Sequence, residues 1–254
     1  MAVKGAYSVQ AVVKAMDLLE TLAKDGNNCS ITVIEKKLAL NKGKMIRLLS
    51  TLEIMGLVVK DKLSGNYSLG LQALEMAQNI VRSDSLIRVA HPVMEELARK
   101  LDEAVYITVA NNDEVLFLDM VDSFQQVKAA NLIGKRFPFF NNAAGKVLKS
   151  ITSIDLFGRR GRKKRGIEDI ELLEAELYEI RSKGVAVDFN GLGEGICTVA
   201  VVIRDYAGKV VGALTLLAPS VRMLQDRLEK EVIPCMLEGA EQLSMKFGYS
   251  RAYA

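Results

Sequence analysis

The sequence predicts an α+β fold: an N-terminal winged helix-turn-helix, a helical linker and a C-terminal antiparallel sheet with flanking helices. Two stretches carry this prediction. Residues 41–70 are typical of an amphipathic helix followed by two short strands around a polar turn, and residues 104–217 contain several strand-like segments rich in Val, Ile and Leu. The expected domains are therefore 1–70 for the winged helix-turn-helix, 71–82 for the linker and 83–254 for the remainder.

The stretch from Asn41 to Gly56 predicts a surface helix with two different faces. Asn41 is a favourable N-cap because its side-chain oxygen can accept from the free amides of the first turn, and Gly56 is expected to end the helix in the left-handed conformation. One face is apolar, with Met45, Leu48, Leu49, Leu52 and Met55 at helical spacing. The opposite face carries short or cationic side chains, at Lys42, Gly43, Ile46, Arg47 and Ser50, with Lys44 and Thr51 beside them. Such a face suits the base edges and phosphates of DNA, although an ordinary solvated face would show the same pattern.

The residues around this helix favour the DNA-binding interpretation. A longer helix is expected first, over Val9–Leu22, with an apolar face formed by Val12, Ala15, Met16, Leu19 and Leu22. A short helix should begin at Ser30, with a hydroxyl cap and a following glutamate, and end near Leu40. Two strands then enclose a polar turn, where Lys60 and Lys62 are placed to contact phosphate. Three helices and a two-stranded wing together are typical of a DNA-binding unit.

Composition and charge set the broad class. The chain has 254 residues, half of them apolar, which is ample for real hydrophobic cores. It has no run of about 18 apolar residues and no signal-peptide pattern, so we expect a cytoplasmic protein that does not enter a membrane. The net charge of +3 arises within residues 1–80, which hold ten Lys or Arg and seven Asp or Glu. Three widely spaced cysteines, Cys29, Cys197 and Cys235, are expected to be thiols rather than disulfides or metal ligands.

The second half of the chain changes between helical and strand-like patterns. A helix over Leu86–Leu101 is expected to bend at His91-Pro92, because proline lacks a backbone donor. The expected strands are 104–110, 115–121, 126–133, 185–189, 197–204 and 210–217, and the expected helices begin at Asn142, Ile170 and Ser220. The last helix should bend at Pro234. About six strands with flanking helices indicate an α+β sensor-like domain.

Six segments together resemble the IclR family of bacterial transcriptional regulators along nearly the whole chain. They are RLLSTLEIMGLV from Arg47, the wing ending YSLG, VLFLDMVDS from Val115, NNAAGK from Asn141, EIRSKGVAVD from Glu179 and RDYAGKVVGALTL from Arg204. No single segment is decisive, but their order and spacing are specific. The resemblance implies a winged helix-turn-helix joined to an effector-binding domain similar to GAF and PAS sensors, acting as a homodimer or homotetramer on palindromic double-stranded DNA.

The resemblance also implies which residues contact DNA. By position, the family's recognition helix falls on Lys42, Gly43, Lys44, Ile46 and Arg47. The usual family pattern there is Lys-Ser-Thr-Val-His-Arg, so Gly43, Lys44 and Ile46 are departures that leave the operator sequence open. Ser50 and the wing residues Lys60 and Lys62 complete the predicted DNA-binding set.

A second set of residues is implied to hold a small-molecule effector. The backbone amides of Ala143 and Ala144 match those that hold a ligand carboxylate at a helix N-terminus, an arrangement that the helix dipole favours. Other wall positions correspond to Ala129, Asp188, Ile196, Thr198, Thr215 and Leu217. Thr198 stands where many members have cysteine, and Asn141-Asn142 replaces the usual His-Ala, so the ligand is predicted only as a carboxylate or aromatic acid. Close packing of a helix on the sheet would also explain Ala143, Ala144 and Gly145, and the two roles are compatible.

Other function classes have weaker support. The sequence contains no GxSxG, P-loop, HExxH or dinucleotide-binding glycine pattern, and its single histidine, His91, precedes a proline. Asp119 and Asp122 are expected on opposite faces of a strand and its exit, so they do not form a carboxylate pair. No cofactor or metal is expected. An enzyme fused to a winged helix and a regulator with an all-helical sensor domain stay as alternatives, and the basic run 159–165 is expected to be a solvated loop.

Overall fold

The computed structural model describes residues 8–24, 28–83, 85–112, 114–151 and 170–250, so the basic run at 159–165 lies outside the described residues. The chain divides into two compact units, Met1–Ser83 and Asp84–Ala254. Each unit has its own buried core. The function of residues 71–82 as a linker stays a prediction.

The first unit consists of three helices, a two-stranded wing and a fourth helix. Their bounds are Gln10–Lys24 (α1), Ile31–Leu38 (α2), Lys42–Ile54 (α3), Val58–Lys60 (β1), Tyr67–Leu69 (β2) and Leu71–Ser83 (α4). The two strands pair antiparallel, with Val58 opposite Leu69. The core of the unit contains Leu18, Leu22, Cys29, Ile34, Met45, Leu49, Leu52, Val58 and Tyr67. The predicted winged helix-turn-helix is confirmed.

Local chemistry sets the two ends of α3. The Asn41 side chain accepts a hydrogen bond from the Lys44 amide at 2.9 Å, and Gly56 beyond the helix has a φ of +71°, which glycine adopts at little cost. Three residues of the expected apolar face are fully buried: Met45, Leu49 and Leu52. Met55, at the end of the expected stripe, is exposed. The predicted cap and most of the predicted apolar face are therefore present.

Two details of the preceding helices differ from the predictions. The buried side of α1 contains Leu18 and Leu22, whereas Val12 and Met16 of the predicted face are 60% and 54% exposed. Ala15, Leu19 and Leu22 of the predicted face do pack on the core. The spacing therefore identified most of the face, but it included two exposed residues and missed Leu18. At the start of α2, the Ser30 hydroxyl caps no backbone amide and lies 3.1 Å from the hydroxyl of Thr32.

The second unit is a six-stranded antiparallel sheet with helices on both faces. Its elements are Ser85–Leu101 (α5), Ala104–Asn111 (β3), Glu114–Val121 (β4), Arg136–Pro138 (β5), Ala143–Ile151 (α6), Ile170–Lys183 (α7), Val185–Phe189 (β6), Ile196–Arg204 (β7), Val210–Pro219 (β8), Gln225–Arg227 (α8) and Ile233–Lys246 (α9). The strand order is β5-β4-β3-β8-β7-β6. Within the described residues, no helix is both long and apolar enough to cross a membrane.

Successive side chains of a strand point to opposite faces of the sheet, and both faces are covered here. On one face, α5 and α9 pack on alternate strand residues that include Val105, Ile107, Val199, Val201, Leu214 and Leu216; we call this the α5/α9 core. On the other, α6 and α7 pack on Ala104, Tyr106, Ala186, Ala200, Ala213 and Leu217; we call this the α6/α7 core. The central strands are therefore almost wholly buried.

The strand expected at 126–133 is absent, and that prediction is wrong. Among these eight residues only Leu132 is buried, so buried and exposed side chains do not alternate as they would in a strand with one face on the core. A turn at Gly134, with a φ of +76°, follows it and leads into β5, which pairs with β4. The expected third strand thus lies a few residues later and is shorter.

The last helix is also less regular than predicted. The chain after β8 begins with a 3₁₀ turn over Ser220–Arg222, then enters α8 and a π-helical turn over Leu228–Val232. Pro234 lies in the first turn of α9, directly after this wider turn. Because proline has no N–H to donate, a change of helical pitch near it is expected. The helix α5 continues through Pro92.

One buried carboxylate joins several parts of the second unit. Glu103, between α5 and β3, is 1% exposed and accepts from Arg222 at 2.7 and 2.6 Å and from Arg227 at 3.1 Å. Arg222 also donates to the carbonyl of Val127, and Arg227 to that of Leu101. A buried charge is tolerated only when it is paired and hydrogen-bonded, so this network fixes the C-terminal segment against the start of the sheet.

Glu103→Ala should lower the free energy of unfolding of the second unit by about 3 kcal/mol, since it leaves two partly buried guanidinium groups without their carboxylate. Glu231→Ala is the matched control, because it removes a half-exposed carboxylate 3.6 Å from Arg227 and should cost less than about 1 kcal/mol. Denaturant unfolding followed by circular dichroism measures both variants. Equal losses would contradict this account of Glu103.

Candidate DNA-binding face and effector site

The DNA-binding residues predicted on α3 share one side of the helix, away from its buried face. All six are exposed: Lys42, Gly43, Lys44, Ile46, Arg47 and Ser50. Within the described part of the chain, the side chains of Lys42, Lys44 and Arg47 form no ion pair. An unpaired cationic face on a well-packed helix is suited to phosphates and base edges.

The wing presents two lysines beside a preformed turn. The Asp61 carboxylate accepts from two backbone amides of the turn, each at 2.7 Å, and these bonds lower the pKa of Asp61. Lys60 is exposed, and its ammonium lies 5.6 Å from the centre of the Tyr67 ring, a cation–π contact with a buried residue of the core. Lys62 is exposed as well. The wing therefore holds both cations at its surface.

All residues predicted to bind an effector lie on the α6/α7 side of the sheet or in segments that cover it. Ala143 and Ala144 are the first two residues of α6 and are fully buried. Three others are register partners across β6, β7 and β8: Asp188, Thr198 and Leu217. The remaining three are Thr215 on the same face of β8, and Ala129 and Ile196, which pack against the α6/α7 core. The structure thus places the whole predicted set on one face.

The first turn of α6 begins with an asparagine cap and is closely packed. Asn142 precedes the helix in an extended conformation, and its side-chain oxygen accepts from the Gly145 amide at 2.9 Å. Ala143 and Ala144, the first two residues of α6, place their amides at the helix N-terminus, where backbone N–H groups have no acceptor within that helix. Gly145 has no room for a side chain, since a Cβ there would lie 2.0 Å from the carbonyl oxygen of Phe139. Close packing and a helix N-terminus that favours anions therefore occur together in this turn.

A buried lysine balances the charge of Asp188. One oxygen of Asp188 accepts from the Gly191 amide at 2.8 Å, and the other accepts from Nζ of Lys146 at 3.1 Å. Lys146 also donates to Glu176 at 2.8 Å. Burial alone would lower the pKa of Lys146, but the hydrogen bonds and charges of Glu176 and Asp188 outweigh it and raise that pKa. Lys146 is therefore charged, and Asp188 presents no uncompensated negative charge to the site.

The hydroxyl groups on this face of the sheet differ in how they are satisfied. Thr215 and Thr108 are hydrogen-bonded to each other at 3.0 Å, and Thr108 also donates to the carbonyl of Ala213 at 3.2 Å. The hydroxyls of Thr198 and Tyr106 are buried and have no hydrogen-bond partner in the described residues. A buried hydroxyl without a partner is destabilising by about 1–3 kcal/mol, so these two oxygens favour a polar ligand.

Three residues of this region had no assigned role in the sequence analysis: Tyr106, Asn142 and Lys146. Asn142 could have been found from its place at a helix start, where asparagine is a favoured cap. Tyr106 lies in an apolar strand, so the sequence gives no signal for its role. Only its pairing with Thr215 shows that it lies on the same face of the sheet as the predicted effector residues. The pair of Lys146 and Asp188 joins positions 42 residues apart, which no local pattern predicts.

The other reactive side chains have structural partners elsewhere. His91 lies on α5, with Nδ1 2.7 Å from a carboxylate oxygen of Asp119. The three cysteines are buried thiols, as expected, and burial, with smaller effects of nearby carboxylates, raises the pKa of Cys197 to about 12. Asp122 is paired with Lys128 at 2.5 Å, separately from Asp119. The described residues contain no group of three or more His, Cys, Asp or Glu side chains that could hold a metal ion.

Comparison with known proteins gives consistent relatives over nearly the full chain. The regulator KdgR of Escherichia coli is 28% identical over 249 residues, covering 95% of this chain and 94% of the relative. KipR of Bacillus subtilis is 28% identical over 250 residues, covering 95% and 98%. Among solved structures, an IclR regulator from Alicyclobacillus acidocaldarius has a TM-score of 0.80 with 24% identity, covering 94% of this chain and 99% of that one.

A further solved structure, an IclR homolog from Microbacterium hydrocarbonoxydans in complex with 4-hydroxybenzoate, has a TM-score of 0.76 with 22% identity, covering 94% of this chain and 100% of that one. The family model for the IclR helix-turn-helix domain matches residues 11–62. The model described as bacterial transcriptional regulator IclR C-terminal matches residues 78–245, about two thirds of the chain. The chain therefore belongs to the IclR family of bacterial transcriptional regulators, DNA-binding proteins with a C-terminal effector-binding domain.

Proposed function

We propose that this regulator binds a palindromic duplex operator as a homodimer or homotetramer and responds to a small organic acid held on the α6/α7 face of its sheet. One observation carries the effector half of the proposal: the N-terminus of α6 and two buried, unpaired hydroxyls on the strands lie on the same face of the sheet. The DNA half rests on the exposed, unpaired cationic face of α3.

In the proposed complex, α3 enters the major groove and the wing contacts the backbone. Arg47 and Lys44 have the reach and charge for base edges and nearby phosphates, while Gly43 lets the first turn approach closely. Lys60 and Lys62 would neutralise phosphate and so contribute affinity without sequence preference. All four cationic side chains of this proposal are exposed, on α3 and on the wing.

Exposed apolar side chains of the first unit support an assembly of more than one copy. Val12 and Met16 on α1, and Leu71 and Leu74 on α4, are each more than half exposed. On each helix the pair is three or four residues apart, so it forms a short apolar stripe toward solvent. Contiguous apolar surface of this kind is typical of protein–protein contacts. Two copies would supply the two α3 helices that a palindrome requires.

A carboxylate is the ligand group that best fits the start of α6. The N–H groups of a helix N-terminus, together with the helix dipole, favour negative charge. Because Lys146 compensates Asp188, a bound carboxylate would not meet an unbalanced anion. The neighbouring wall positions Ala129, Ile196 and Leu217 are apolar and suit an aliphatic or aromatic body.

Regulation requires only that the acid binds one arrangement of the protein more tightly than another, a difference typically worth about 1–3 kcal/mol. We place the connection in residues 71–82, because they join the two units in sequence. Effector binding would then change the spacing of the two winged helices across the assembled protein, and operator binding would change effector affinity by the same factor.

Arg47→Ala and Lys44→Ala should each weaken specific operator binding by about 1–3 kcal/mol, because each removes a cation from the proposed recognition face. Lys246→Ala removes an exposed lysine of α9 and is the charge-matched control, which should bind like the parent protein. Fluorescence anisotropy with a labelled operator duplex measures all three. If neither α3 variant loses affinity while the protein still binds the duplex, the recognition helix has been placed wrongly.

Lys60→Ala and Lys62→Ala should each reduce the slope of log affinity against log salt concentration by about one, because each phosphate contact releases about one counterion. The preference for operator over a scrambled duplex should not change. Titrations at several salt concentrations with both duplexes separate the two effects. A changed sequence preference with an unchanged salt slope would show that the wing contacts bases instead.

Ala143→Pro should abolish acid binding and leave operator binding intact, since proline lacks the amide assigned to the carboxylate. The site suits proline because it is the first residue of α6 and because Asn142 before it is already extended, with φ of −155° and ψ of 159°. Ala143→Gly, which keeps the amide, is the control. Calorimetry with keto acids, dicarboxylates and aromatic acids measures binding. An acid that binds the proline variant as tightly as the parent would rule out this position.

A further inference from the structure

Tyr106 is a buried hydroxyl residue that the proposed carboxylate site does not use. It lies on β3 in the same α6/α7 core as Ala143 and Ala144 and has no exposed surface. Its ring packs edge-on against Phe117 with 5.4 Å between ring centres, and Phe117 packs edge-on against Phe137 at 5.5 Å. These contacts fix the ring, so the hydroxyl cannot turn outward to water.

The phenolic proton of Tyr106 has no acceptor in the described residues. The hydroxyl is buried and has no hydrogen-bond partner among those residues. Burial raises the pKa of Tyr106. The phenol therefore stays protonated at neutral pH and keeps its proton as a donor. The Tyr106 hydroxyl therefore lacks an atom that could accept its hydrogen bond.

Thr198, the other unpaired hydroxyl, lies within a small molecule's span of Tyr106. Tyr106 is opposite Thr215, Thr215 is opposite Ala200, and Thr198 is two residues from Ala200 along β7. A strand spacing of about 4.8 Å and a rise of about 3.3 Å per residue place the two Cα atoms roughly 12 Å apart on one face of the sheet. Both residues are buried on the side of the sheet that α6 covers.

We infer that Tyr106 is a specificity-determining residue of the effector site, and that the effector carries, besides its carboxylate, an oxygen atom that accepts a hydrogen bond from Tyr106. This inference rests on the proposed effector site. Keto acids, hydroxy acids and dicarboxylates meet the requirement, whereas plain alkanoates and benzoate do not. An acid without that oxygen would leave the phenol unpaired in a site that excludes water, which is how buried polar groups discriminate between similar ligands.

Calorimetric titration of the full-length protein with three pairs of acids tests the inference. The pairs differ by one oxygenated group: pentanoate and 4-oxopentanoate, butanoate and butanedioate, benzoate and 4-hydroxybenzoate. The parent protein should prefer the oxygenated member of at least one pair by about three- to tenfold, the range of one neutral hydrogen bond. Tyr106→Phe should remove this preference and leave the affinity for the plain acid unchanged. Tyr206→Phe, at a tyrosine that is 82% exposed, is the matched control.

Thermal unfolding of the ligand-free variants distinguishes a ligand contact from a structural one. Removing an unpaired hydroxyl should leave the melting temperature of Tyr106→Phe unchanged or slightly higher. The inference is overturned if Tyr106→Phe keeps the preference, if it weakens both members of each pair equally, or if the ligand-free variant melts several degrees lower. A failure of the proposed effector site has a different signature: the parent protein binds its operator but none of the six acids, and the inference then falls with that site.

Discussion

Burial of the sheet on both faces is the constraint on which the second unit depends. The strands β3, β8 and β7 lie in the middle of the sheet, between α5 and α9 on one side and α6 and α7 on the other. A polar side chain on these strands needs a partner, because an unpaired buried group is destabilising by about 1–3 kcal/mol. Thr108 and Thr215 satisfy one another, whereas Tyr106 and Thr198 do not. The packing that stabilises the sheet therefore also leaves two unpaired oxygens, which the proposed effector would satisfy.

Burial also makes unpaired charges near the start of α6 unfavourable, and Lys146 compensates two of them. A carboxylate site next to Asp188 would be repulsive if that residue were an isolated anion. Lys146, from the second turn of α6, lies between Asp188 and Glu176 and neutralises the region nearest the site. In the proposed site, α6 would supply both the amides that bind the carboxylate and the lysine that compensates Asp188.

The parts of the structure that could be predicted from the sequence are those whose causes are local. The cap at Asn41, the left-handed Gly56 and the spacing of apolar residues on α3 are all contained in one short stretch, and each is present. The limits of the buried side of α1 could not be predicted from spacing alone. Its apolar residues cover more of the helix surface than the neighbouring elements bury, so the positions of those elements decide which residues are buried. The position of the short strand β5 is set by the turn at Gly134 rather than by an alternation of apolar and polar residues. The Lys146–Asp188 pair and the face of Tyr106 depend on register across the sheet, which a one-dimensional pattern does not contain.

In the proposed effector site, affinity and selectivity would come from different groups. The two amides of α6 would attract any carboxylate and so contribute the same binding energy for all organic acids. The sheet hydroxyls contribute only when the ligand offers a matching oxygen, and in the ligand-free protein they are unpaired. An acid with that oxygen recovers hydrogen bonds that the fold lacks, and so it stabilises the bound arrangement beyond what its carboxylate alone provides. An acid without it would occupy the amides and compete for the site without that additional stabilisation. Because regulation depends on the difference in affinity between two arrangements, the proposed site would select effectors by the second oxygen rather than by the carboxylate.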